Sequence, residues 1–144
     1  MSETDYRAVT YDLTLAVAHT VLAANPALTF CYVSGAGTDA GGRMMWARVK
    51  GETENALLAL TERAYMFRPG VIVPLPGGKA RTKTYVVMYR VVAPLYPLLR
   101  RIASDRVTSA LQLGQAMIQV SLAGAATRVL STADINRLAV ERTR

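Results

Sequence analysis

The chain is poor in the residues that usually announce a site. Its 144 residues include one cysteine, one histidine and one tryptophan. Cys31 alone can form no internal disulfide, and the apolar run around it predicts a packed thiol rather than a reactive one. One His and one Cys exclude a metal centre built on those ligands. The opening Met1-Ser2-Glu3-Thr4-Asp5 lacks the basic and apolar regions of a secretory signal, which predicts a cytoplasmic setting. No long membrane-type run occurs either: Tyr85 to Leu99 is apolar apart from Arg90, but it is broken by Pro94 and Pro97. It falls short of the roughly 20 residues needed to span a bilayer and reads as a buried or interfacial helix.

What is present suits one globular domain over 1–144. Apolar residues make up 51% and charged residues 19%, which excludes a disordered chain. A domain of this size buries roughly 68–70% of its unfolded surface, enough for a single core. The net charge of +7 is unevenly placed. Residues 1–67 hold five Lys/Arg against seven Asp/Glu, whereas 68–144 hold twelve against three. The basic half could serve as a solvated face, meet a phosphate-bearing ligand, or contact a membrane or nucleic acid. Its charges are scattered and no base-reading motif accompanies them, so no specific nucleic-acid partner is expected.

Hydrophobic periodicity predicts a helix from Asp5 to about Ala23, with Val9, Leu13, Ala16, Val17 and Val21 on one face. Leu28 to Val33 is apolar at nearly every position, as a parallel strand buried on both faces reads. A glycine-rich loop, Gly35 to Gly42, leads to a helix from about Arg43 to Leu60, with Arg48, Glu52 and Glu54 free to face water. A strand Ala64 to Arg68 follows, stopped by Pro69-Gly70, so a right-handed crossover between parallel strands is expected. Val71 to Lys83 reads as loop. Thr108 is placed to cap a helix ending at Gly124, Arg128 to Leu130 to form a short strand, and Ser131 or Thr132 to cap a last helix through Leu138. The order αβαβ followed by helices is an α/β layer architecture.

Two patterns bear on chemistry. Gly35-Ala36-Gly37-Thr38-Asp39-Ala40 fits G-x-G-x-x-A after a strand, the dinucleotide pattern. Gly41 and Gly42 would fall in the first turn of the following helix, and the second strand ends in Arg68 rather than a ribose-binding acid, so an ordinary βα loop is the competing reading. Trp46 and Lys50 are four apart and share a helix face. A tyrosine at 46 beside a lysine would be a general acid, its phenol brought toward working range by the ammonium. An indole N–H can donate a hydrogen bond but transfers no proton.

With Ser34 at a strand end, the segment Trp46-Ala47-Arg48-Val49-Lys50-Gly51-Glu52-Thr53-Glu54 and the turn Phe67-Arg68-Pro69-Gly70-Val71 resemble the second half of an atypical short-chain dehydrogenase/reductase. The group most similar is the NAD-dependent epimerase/dehydratase, or nucleoside-diphosphate-sugar epimerase-like, family. The resemblance runs from Tyr6-Arg7-Ala8-Val9 through Asp134-Ile135-Asn136. It implies a partial Rossmann-type fold, NAD or NADP as cofactor, and hydride transfer at a carbonyl or alcohol carbon. It casts Ser34 as the catalytic hydroxyl, Lys50 as the residue holding the cofactor ribose, and Pro69, Gly70 and Val71 as the turn beside the nicotinamide. Trp46 stands where the family has its tyrosine, so the acid step does not carry over.

Family members begin with a strand, a phosphate-binding glycine turn and further βα units, none of which precedes Tyr6 here. The expectation is a truncated or repurposed scaffold with weak cofactor affinity on its own, and an open sheet edge that favours dimerisation or aggregation. Beside these stand plainer readings: Lys50 as a solvated lysine paired with Glu54, Ser34 as a satisfied polar group ending a strand, Arg68 and His19 as surface residues. Tyr85, Tyr89 and Tyr96, interleaved with Arg90, Arg100 and Arg101, read as a packing segment rather than a base-stacking one. A non-catalytic interaction protein using the basic Arg68 to Arg106 region at a membrane surface or a partner protein is the alternative function.

Overall fold

A computed structural model of the chain describes residues 2–73 and 105–141. The predicted helix at 85–99, most of the predicted 71–83 loop and the tyrosine–arginine segment lie outside the described residues.

The described part is α/β. A parallel three-stranded sheet has the order β1 (Phe30–Val33), β2 (Ala64–Arg68), β5 (Val129–Ser131). Phe30 pairs with Ala64 and Val33 with Phe67, while Met66 to Arg68 pair with Val129 to Ser131. Helix α3 (Met45–Leu60) joins β1 to β2, as a parallel connection requires. The amino-terminal helical stretch runs as α1 (Glu3–Arg7), a π-helical segment (Ala8–Asp12) and α2 (Leu13–Ala24). Helices α4 (Ala110–Ala123) and α5 (Thr132–Glu141) follow.

Alternation along the strands builds two cores. Phe30, Tyr32, Ala64 and Met66 face one way, onto Leu15 and Ala18 of α2 and Leu57, Leu58 and Leu60 of α3. Cys31, Tyr65, Phe67 and Leu130 face the other, onto Ala116, Val120, Ile135 and Leu138. Full burial of Phe67, Met66, Leu57 and Leu130 contributes roughly 1.5–3 kcal/mol each before entropy is counted. Both faces of the sheet are covered, which is why β2 carries almost no polar residue until Arg68.

Several expectations change. Val71–Val73 is a strand, β3, paired in parallel with β4 (Val107–Ser109), rather than loop. Ser109, not Thr108, caps α4: its hydroxyl accepts from the Gln112 amide at 3.1 Å while Gln112 reaches back to the Ser109 amide at 3.2 Å. Thr108 is buried in β4. Gly124, at φ 72°, ends α4 as expected. Ser131 caps α5 through the Asp134 amide, and that helix runs on to Glu141. The stripe Val9, Leu13 and Val17 points to solvent instead of the core, because α2 packs through Leu15 and Ala18.

Candidate functional site

The carboxyl ends of β1 and β2 lie side by side, and the loops that leave them are stitched together. The Ser34 amide donates to the Phe67 carbonyl at 2.9 Å, and the Ala36 amide to the Pro69 carbonyl at 2.8 Å. Gly35 and Gly37 have φ of 140° and 85°, left-handed values that only glycine adopts without strain. The loop then folds back over α3. A Cβ on Gly51 would lie 2.2 Å from the Ala40 backbone nitrogen, so this mid-helix glycine is needed for the loop to approach. Helix α3 begins at Met45, well after Gly37, so the glycines do not open a helix as a dinucleotide pattern requires.

Lys50 and Ser34 come together. The Lys50 ammonium donates to the Ser34 carbonyl at 2.5 Å, and half-burial holds the amine below its ordinary range, with the charge of Glu54 partly opposing that shift. The Ser34 hydroxyl turns inward, away from solvent, and donates to the Glu54 carboxylate at 2.5 Å. Trp46 sits one turn before Lys50, its ring edge 3.4 Å from where a Gly37 Cβ would be. The turn after β2 is equally fixed. The buried Pro69 offers its carbonyl to Ala36, the Gly70 amide donates to Thr132 Oγ1 at 2.9 Å, and the Val71 amide donates to the Arg106 carbonyl at 3.0 Å.

The residue that sequence reasoning missed is Glu54. Expected to face water, it is 1% exposed and forms an ion pair with Arg68, whose Nε lies 3.1 Å from both carboxylate oxygens. Arg68 is thus no free surface cation: its guanidinium, 35% exposed, is raised further by the Glu54 hydrogen bond against the opposing effect of desolvation. The available signal was the four-residue step from Lys50 to Glu54 on one helix face, with Arg68 at the end of the strand that α3 feeds. Lys50, Glu54, Ser34 and Arg68 form one network, not the surface Lys50–Glu54 pair that spacing alone allowed. Arg48 and Glu52, also expected to face water, are half-buried where α3 meets α1, Arg48 pairing with Glu3 and Glu52 with Arg7.

Chemically, this cluster offers one half-buried amine at the rim, a buried carboxylate closed off by its partners, and an indole. Among the described residues no group of His, Cys, Asp and Glu could hold a metal ion. None of their helices is long and apolar enough to cross a membrane. No protein-family model matches the chain, and no curated protein matches it in sequence.

Proposed function

We propose that the chain is an NAD(P)-linked epimerase/dehydratase- or oxidoreductase-like protein, the carboxyl-side part of a Rossmann-type domain that keeps a cofactor-facing lysine but lacks the phenolic acid. The observation that carries this reading is the Lys50 ammonium held on the Ser34 carbonyl at the carboxyl ends of two parallel strands. In open parallel sheets, ligands bind in the crevice outside those ends.

Lys50 would meet the ribose hydroxyls, and the fixed Pro69-Gly70-Val71 turn would wall the nicotinamide. Ser34 would act by position: its carbonyl orients Lys50, while its hydroxyl is committed to Glu54. The dinucleotide would supply or accept hydride at a carbonyl or alcohol carbon. Trp46 cannot pass a proton, so water must do so. Tyr32 is no substitute, because burial pushes its phenol up, opposite to what an acid needs. The described residues provide no glycine turn opening a helix for a pyrophosphate, so weak binding is expected. The alternative of a basic docking surface draws nothing from Arg68, whose charge Glu54 neutralises.

Calorimetric titration of NADH and NADPH into the full chain, run beside Lys50→Ala, tests the reading. Binding that weakens tenfold or more in the variant, about 1.4 kcal/mol, supports it. No binding by the parent chain, or equal binding by both, overturns it.

A further inference from the structure

Arginine supplies most of this chain's positive charge. Of its seventeen Lys and Arg residues only three are lysine: Lys50, Lys79 and Lys83. Where a carboxylate needs a fixed cation the chain uses arginine, as Arg68 serves Glu54 and as Arg7 and Arg48 serve Glu52 and Glu3. A guanidinium stays charged at any working pH, whereas an ammonium can give up a proton and become a nucleophile. At the carboxyl ends of β1 and β2 the half-buried side chain on α3 is the lysine.

The surroundings of Lys50 favour the neutral amine. Among the described residues it donates to the uncharged Ser34 carbonyl and pairs with no carboxylate. A lysine drawn out of water keeps its charge readily only when a counter-ion accompanies it, and the carboxylate at hand is already engaged. Glu54, one turn further along α3, accepts from the Ser34 hydroxyl and, through both oxygens, from Arg68. It acts on Lys50 only through space, opposing the lowering that burial causes. Asp39, in the loop after β1, bears on Arg68. Residues 74–104 can bring no competing carboxylate, because that stretch contains neither Asp nor Glu.

We propose that Lys50 is an imine-forming lysine, a nucleophilic amine that captures small aldehydes at the carboxyl ends of β1 and β2. The ammonium first gives one proton to water. The free amine then attacks the aldehyde carbon, and the carbinolamine loses its oxygen as water, carrying off both amine protons and leaving a C=N bond. No oxidant, reductant or cofactor takes part. Arg68 is bound to Glu54 and makes no claim on an anionic substrate, while Trp46 shares the α3 face of Lys50, so a planar, uncharged aldehyde suits the position. The reaction proceeds with no dinucleotide present, so this proposal and the nucleotide-binding reading can fail separately.

Pyridoxal, an aldehyde without a phosphate, is the probe. It is added below stoichiometry to the full chain, trapped with cyanoborohydride and located by peptide mass. Near neutral pH, Lys50 should be labelled at least about fivefold faster than Lys79, Lys83 and free Nα-acetyllysine, and its rate should level off at a lower pH than theirs. Concentrated urea should abolish the preference, because burial creates it. Label spread evenly over the three lysines, Lys50 reacting no faster than Nα-acetyllysine, a pH profile like that of the free amine, or a preference that survives urea would each overturn the proposal.

Discussion

Removing Arg68 should cost the fold more than removing its partner. Glu54 is 1% exposed and Arg68 35%, so the two residues left behind face different solvents. At the 3.1 Å separation of this pair and an effective dielectric near 20, the gross attraction is about 5 kcal/mol. Desolvation of both groups offsets part of it, and the partial hydration of Arg68 offsets more. In Arg68→Met the carboxylate stays buried with Ser34 Oγ as its remaining side-chain donor, and the expected loss is about 3–5 kcal/mol. In Glu54→Gln the amide still accepts from Ser34 and the guanidinium turns to water, so about 1–2 kcal/mol is expected. The double variant should fall well short of the sum, because neither buried charge remains.

Urea unfolding followed by the fluorescence of Trp46, the sole tryptophan, reads these differences. With a slope of about 1–3 kcal/mol per molar, Arg68→Met should lower the midpoint by about 2 M. Equal losses in the two single variants, or an Arg68→Met midpoint within about 0.3 M of the parent, would refute the asymmetry argument.

Gly51→Ala should destabilise by about 1–3 kcal/mol, although alanine is the better helix former by about 1, because its methyl would enter the Ala40 backbone; a thermal melt that rises instead would count against the loop geometry. Ser131→Ala should cost about 1 kcal/mol as a lost helix cap, measured by the same urea series. Asp134 is held below the ordinary carboxylate range, first by the Ser131 hydroxyl and then by its amide and by Arg137, with desolvation opposing. Its contribution is therefore present above about pH 3.9 and lost as pH falls through the lower folded value. Asp134→Asn should be less stable than the parent at pH 7, and the two unfolding curves should converge on acidification; a gap unchanged down to pH 2 would contradict the assignment.

Where local rules decide, the chain reads correctly. Ala64 to Arg68 is a strand with the expected bounds because β-branched or aromatic character, burial on both faces and a Pro-Gly stop agree. Gly124 ends α4 for the same reason. Where two polar readings compete at one spacing, sequence misleads. Glu54 follows Lys50 by the step of a solvated pair, and nothing in that step reveals that β2 delivers Arg68 to the same carboxylate. Val71–Val73 reads as loop in the sequence because its partner, Val107–Ser109, is distant along the chain and a three-residue strand has no period of its own.

Pattern and turn chemistry alone established a parallel α/β unit, the helix carrying Trp46 and Lys50, and the absence of a phenol at position 46. They act over a few residues, which is as far as periodicity and backbone sterics reach. Tertiary packing decided which side of each helix is buried. It turned the Ser34 hydroxyl inward, gave its carbonyl to Lys50 and closed Glu54 under Arg68. Those choices depend on which strands lie side by side and on what burial costs a charge, and both are settled only when distant segments meet.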